Sequence, residues 1–497
     1  GDEAGVGRTT PAGCPSRDPS QTRAPWGGPV SQSGERAPAA ELNMLDATMV
    51  GIGAMIGAGI FVLTGLAAET AGSAAIVVFA LNGGVTTFTA LSYAELASAI
   101  PRNGGGYAYV REVFSAPVSF VMGWTRWFTY MIAGALYALG FGSNFVEWLH
   151  LYGVSVPLAE TFPEAYALAV ILVFVALNAL STAASGGAET VITLVKIAIL
   201  GVFVAFGVFA VESGEFRPLF SEGTLAVLPA MGLTFIAFQG YDLIATVTEE
   251  VEDPQRTIPR AILLSVVVTV AVYLLVVFVA IGTLGAEALG MAGETAVAQA
   301  AEGFMPQLPA IGTGAGLIAF GAVFSTVSAL NAVVIGSSRV AFAMGRERQL
   351  PDVLGRLHYR YGTPFVAIVA SAAVMLVAAL VVPIRVVGNL ASLFSLLGFA
   401  LVNVTLIRLR RQQPDLRRPF EVPYYPVTPV LGIVLNLLLG FFIDPFTWAL
   451  ALAWLAFGAG VYLLLSRRRR RSDPGPGESA DVDIAAAEPI ESASHDD

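Results

Sequence analysis

The chain has 497 residues, of which 55% are hydrophobic and only 13% charged, with a mean hydropathy of +0.71, whereas soluble domains carry about 25% charged residues. This composition excludes an ordinary soluble protein and reads as an integral membrane one. The net charge of −10 argues against nucleic acid as a partner, and the single cysteine, Cys14, excludes an intramolecular disulfide or a thiolate metal cluster.

Residues 1–44 have no hydrophobic signal-peptide core and read as a disordered cytoplasmic tail. Residues 45–466 read as one transmembrane domain, and 467–497 as a basic, then acidic, disordered cytoplasmic tail. A 30 Å hydrocarbon core takes about 20 apolar residues in helix. Twelve stretches meet or approach that length: 45–70, 74–100, 117–147, 164–182, 187–212, 224–248, 259–284, 311–344, 364–383, 386–408, 428–443 and 446–466.

The arginines test this map, because short cytoplasmic loops gather them. With the N-terminus inside, the inner loops hold Arg102, Arg111, Arg256, Arg260, Arg346, Arg348, Arg356, Arg360, Arg408, Arg410, Arg411, Arg417 and Arg418, and Arg467 to Arg471 follow the last span. The outer loops hold only Arg217 and Arg385. The asymmetry supports twelve spans with both ends cytoplasmic, in a cell membrane.

The first span carries Met49 to Gly65, MVGIGAMIGAGIFVLTG, with five glycines. Each costs a helix roughly 1 kcal/mol relative to alanine, so the run predicts an opening near Gly57, Ala58 and Gly59, whose bare backbone groups hold a small ligand. Close helix packing through Gly53 and Gly57 is the competing explanation. Irregular backbone at membrane depth is tolerated where protein or an aqueous cavity satisfies it. Five spans later, Phe238-Gln239-Gly240-Tyr241-Asp242 interrupts the sixth span. Two interrupted helices five spans apart predict a five-plus-five inverted repeat.

Four motifs in order, GAMIGAGIFVLTG, Ser92 to Phe114, Thr234 to Ile262 and Ser328 to Pro351, resemble the amino acid, polyamine and organocation transporter superfamily. The pattern is most similar to prokaryotic relatives of cationic amino acid transporters. The resemblance implies an all-α membrane protein with the LeuT-type fold, alternating access and an amino acid substrate. It implies that the substrate carboxylate meets backbone amides around Ile56, Gly57, Ala58 and Gly59, and that its ammonium meets carbonyls near Ala237, Phe238, Gly240 and Tyr241. Since Ile236 is aliphatic, Phe235 or Phe238 is the candidate for an aromatic lid, and ordinary core packing is the competing role that each aromatic is more expected to play.

Lys196, the only lysine, falls about ten residues into the fifth span and so roughly 15 Å deep. Its side chain is too short to reach either interface from there, and an intramembrane cation is a functional candidate by default. The resemblance places its ammonium where relatives hold a sodium ion, between first-span carbonyls near Gly53 to Met55 and eighth-span hydroxyls among Ser325, Thr326 and Ser328. Proton coupling through Lys196 is the resulting expectation.

Asp242 is the second intramembrane charge. A proton relay, a partner for a cationic substrate and a helix cap all remain open for it. Glu95, Glu249, Glu250, Glu252 and Asp253 lie near inner span ends, as a salt-bridged gate or a solvated face, and Arg126 and Arg339 are expected toward the inner vestibule. Gly104 to Gly106 precede a short interfacial or re-entrant helix. No metal-ligand histidine spacing, nucleophile triad or phosphate-binding Gly-Lys-Ser/Thr loop occurs, so the sequence points to no enzyme, cofactor or ATP drive. A proton-coupled amino acid symporter is the leading expectation, with an exchanger and a non-translocating sensor as alternatives.

Overall fold

The computed structural model describes residues 42–155, 162, 164–180, 186–308 and 312–472. Most of both expected tails lies outside these residues. The architecture is all-helical apart from a hairpin of two residues a side, β1 (Gln307–Leu308) and β2 (Gly312–Thr313).

In chain order the helices are α1 (Met44–Met55), α2 (Ala58–Ala71), α3 (Ala75–Ala99), α4 (Gly105–Val113), α5 (Ala116–Leu151), α6 (Ala165–Leu180), α7 (Gly186–Gly207) and α8 (Val227–Thr234). Then follow α9 (Pro254–Leu284), the short α10 (Ala286–Ala292) and α11 (Ala296–Glu302), α12 (Gly314–Arg346), α13 (Phe365–Val381), α14 (Ile384–Gln412), α15 (Val427–Phe441) and α16 (Pro445–Ser472). Among the described residues seven stretches are long and apolar enough to cross a membrane, the first of them, Met44–Ala99, containing α1, α2 and α3. Three shorter apolar helices, α6, α13 and α15, accompany them. The protein is a multi-pass integral membrane protein.

Local chemistry fixes the helix ends. Asn43 caps α1 by accepting from the Leu45 and Asp46 N–H groups at 2.7 and 3.1 Å, while the Asp46 carboxylate accepts from the Asn43 N–H at 3.4 Å. This reciprocal box satisfies donors that a helix start leaves free. Gly104, at φ +112°, turns the chain into α4, the short helix expected there. α16 continues through Ser472, past its expected end.

α1 and α2 lie at the centre, and every residue from Gly51 to Ala68 is buried. Along such a segment only small residues allow other backbones to approach. α3, α7, α9 and α12 pack around it. At the start of α1, Leu42 exchanges backbone hydrogen bonds with Glu250 and Glu252, both 3.0 Å, tying the first helix to the segment that precedes α9.

Candidate functional site

Both interruptions are present. The first lies at Ile56 and Gly57, slightly before the expected opening. Gly57 is neither helical nor extended (φ −101°, ψ −133°), and Ala58 and Gly59 are already the first two residues of α2. Their N–H groups belong to a first helical turn, which has no intrahelical acceptors. At the second, α8 ends at Thr234 and one 3-10 turn, Phe235–Phe238, precedes Gln239 and Gly240. The chain then resumes as a 3-10 helix, Tyr241–Thr246, in place of a second α-helical half.

The two breaks touch. A Cβ on Gly59 would lie 2.6 Å from the Ala237 Cβ, and one on Gly240 would lie 2.6 Å from the Met55 N. Gly240 also has φ +140°, a conformation reserved for glycine. Gly240→Ala is therefore expected to cost at least about 1–3 kcal/mol in backbone strain, with the overlap in addition. Thermal unfolding in detergent should show a clear loss of stability, and uptake should fall with it.

The freed backbone groups are satisfied by hydroxyls, of which Ser325 was a sequence candidate and Tyr273, Ser392 and Ser395 were not. Tyr273 on α9 donates to the Met55 carbonyl at 2.5 Å and lies 3.0 Å from the Ala237 carbonyl, so one hydroxyl spans both breaks. Ser392 on α14 accepts from the Ile236 N–H and bonds the Leu233 carbonyl, both at 3.0 Å, and Ser395 reaches Gln239 at 2.7 Å. Ser325 on α12 reaches the Ile56 carbonyl at 2.7 Å and the Gly57 carbonyl at 3.2 Å. A buried carbonyl left without a donor costs about 1–3 kcal/mol, so these hydroxyls keep the breaks open at membrane depth. Their signal was the hydroxyl residues at helical spacing in apolar spans, Ser392 and Ser395 among them.

Lys196 on α7 is 1% exposed. Its Nζ donates to the Gly53 carbonyl at 2.9 Å and to the Ser328 hydroxyl at 3.0 Å, linking α1 to α12 across the first break. Of the expected eighth-span hydroxyls, Ser328 meets the lysine and Ser325 serves the break. Thr326 does neither, because it turns back to the carbonyls of Ala322 and Val323 on its own helix, 2.8 Å each.

Asp242 forms a buried ion pair with Arg126 on α5 and accepts from the Gly240 N–H at 3.1 Å. Arg126 is thus in the interior, 3% exposed, and not in an open vestibule. It also donates to the Tyr130 hydroxyl at 2.8 Å and lies over the Tyr130 ring. Arg339 is exposed. Tyr241 is buried against Tyr93 and Phe399, Phe238 against Phe79 and Tyr273, and Phe235 against Phe399. Glu95 is fully buried and takes both ends of the Arg410 guanidinium at 2.6 Å, along with the Val422 N–H. It is a structural clasp between α3 and α14, whereas Glu249 only exchanges bonds with Asn103 near the surface.

A family model described as amino acid permease matches residues 42–462, which takes in both breaks, Lys196 and the ion pair. The chain belongs to the amino acid permease family. With that family it falls in the amino acid, polyamine and organocation superfamily, and it is a transporter and not an enzyme. This permease is 30% identical over 453 residues to the branched-chain amino acid permease BcaP of Bacillus subtilis, covering 88% of this chain and 96% of the relative. It is 30% identical to the methylthioribose transporter of the same organism, with the same coverage. It is 32% identical over 378 residues to the inner membrane transport protein YbaT of Escherichia coli, covering 74% of this chain and 84% of the relative.

Proposed function

We propose that this permease is a proton-coupled symporter for neutral, apolar amino acids, working by alternating access in a twelve-span, LeuT-type five-plus-five repeat. Both termini are cytoplasmic and the membrane is the cell membrane, as the arginine asymmetry of the loops supports. α1 with α2 forms the first broken span, and the stretch from α8 through Thr246 forms the sixth.

The substrate carboxylate binds the backbone amides around Ile56, Gly57, Ala58 and Gly59, where the start of α2 adds partial positive charge and the first-turn N–H groups of Ala58 and Gly59 have no intrahelical acceptor. Its ammonium binds the second break around Ala237, Phe238, Gly240 and Tyr241. Since Tyr273 lies within hydrogen-bond reach of the Ala237 carbonyl in this structure, substrate entry exchanges that contact for the ammonium. Phe235 and Phe238 supply apolar walls.

Coupling rests on one observation above the others: the Lys196 ammonium bridges the Gly53 carbonyl and Ser328. A charged lysine holds α1 and α12 together at the break, and a neutral one lacks the charge that strengthens both bonds. Protonation thus biases the geometry of the half-site that takes the carboxylate.

The substrate class follows from Asp242. Its charge is already met by Arg126, so Asp242 offers no unpaired carboxylate to a cationic side chain, and the aromatic residues Phe235, Phe238 and Tyr241 stand at the second break. The branched-chain permease among the relatives supports the same class. A thermal-shift screen of all twenty amino acids on purified protein, followed by uptake of the hits into proteoliposomes, is expected to select leucine, isoleucine and valine. Stabilisation by arginine and lysine alone would overturn the substrate class, and binding without saturable uptake would favour a sensor.

A further inference from the structure

Lys196 is sealed from water, so a proton that it carries needs a way out. Seven residues earlier on the same face of α7 stands Glu189, partly exposed. A Cβ on Gly53 would lie 2.5 Å from Glu189 Oε1, so this carboxylate sits directly over the residue whose carbonyl holds Lys196. Gly53 thus has the Lys196 ammonium on its carbonyl and the Glu189 carboxylate against its Cα, which brings the two charged groups to the same residue of α1.

We propose that Glu189 is the proton-release residue of this permease, connecting Lys196 to the cytoplasmic solution. This rests on the proton-coupled reading above. The step balances: the Lys196 ammonium gives one proton to the Glu189 carboxylate, which leaves a neutral amine and a carboxylic acid, and the acid then gives its proton to water. Chains of this kind, built on carboxylates, move protons inside membrane proteins.

The surroundings fit a one-way outlet. Thr190, next to Glu189, donates to Asp46 in the first turn of α1 at 2.8 Å, and Thr193 reaches the Met49 carbonyl at 3.2 Å. Both contacts lie toward the end of the bundle where α1 begins, which is cytoplasmic in the proposed topology. The charges on the elements packed against α7 are few. α1 offers Asp46, while Arg256 and Arg260 of α9 and Arg339 and Arg346 of α12 are exposed. Loss of the Glu189 charge is therefore not replaced by a buried neighbour.

The test compares wild type with Glu189→Gln and Glu189→Asp in proteoliposomes, measuring net uptake under an inward proton gradient, its dependence on internal pH, and counterflow with the same amino acid on both sides. Counterflow lets the proton stay bound, so it needs no release. Glu189→Gln is expected to lower net uptake about tenfold or more and flatten the internal-pH profile while counterflow persists, with Glu189→Asp restoring much of the rate. Wild-type rates and pH profile in Glu189→Gln would overturn the release role and leave proton coupling standing. Equal loss of net uptake and counterflow, in both variants, would assign Glu189 a structural role instead. Wild-type uptake indifferent to pH would overturn the coupling itself and this inference with it.

Discussion

Asp242→Asn is expected to destabilise the permease by about 3–5 kcal/mol, because removing one partner of a buried ion pair strands the other charge. The stranded group is Arg126, whose Nη1 already lacks a hydrogen-bond partner among the described residues, leaving the Tyr130 hydroxyl as its main polar neighbour. Asp242 also accepts from the Gly240 N–H, so the same change loosens the turn that fits against Met55. Uptake should fall by at least about tenfold, since 1.4 kcal/mol of distortion at the site already gives that factor. The double variant Arg126→Met with Asp242→Asn removes the stranded charge and should recover most of the thermal stability. If Asp242→Asn unfolds at the same temperature as the parent, the pair does not hold the second break.

Much of this arrangement was legible in the sequence, for physical reasons that differ by residue. Apolar length located most of the helices closely, because lipid thickness acts on composition directly. Gly57 and Gly240 announced the breaks, since backbone that must bend or approach another chain demands glycine. Lys196 stood out because a lone lysine at mid-depth has few structural uses.

What escaped notice were partners whose meaning depends on which helices meet. Arg126 read as a vestibule charge until α5 brought it to Asp242, more than a hundred residues away in sequence. Tyr273 carries no signal of its own in the sequence, yet its hydroxyl spans both breaks. Thr326 and Ser328 are two residues apart, and helical phase alone decides that one faces Lys196 while the other bonds its own helix. The second break was expected to separate two α-helical halves, and the downstream segment is 3-10 instead. Asp242 and Thr246 sit in a stretch whose side chains are recruited to turn and ion-pair contacts, which compete with regular helix.

The second large effect belongs to Lys196. In Lys196→Ala the Gly53 carbonyl and Ser328 lose their shared donor, and α1 and α12 lose their protonatable bridge. In the proposed mechanism the substrate binds at the amides of α2 without the lysine side chain, so what would disappear is the link between binding and the proton. One pH unit across the membrane is worth about 1.4 kcal/mol per proton, or about tenfold accumulation for one proton per substrate. The decisive measurement is the steady-state accumulation of leucine in proteoliposomes under an imposed pH difference, wild type beside Lys196→Ala. Proton coupling through Lys196 predicts that wild type concentrates leucine when the outside is acidic and that Lys196→Ala stops at equal concentrations. A Lys196→Ala permease that still concentrates leucine in response to the pH difference would contradict it.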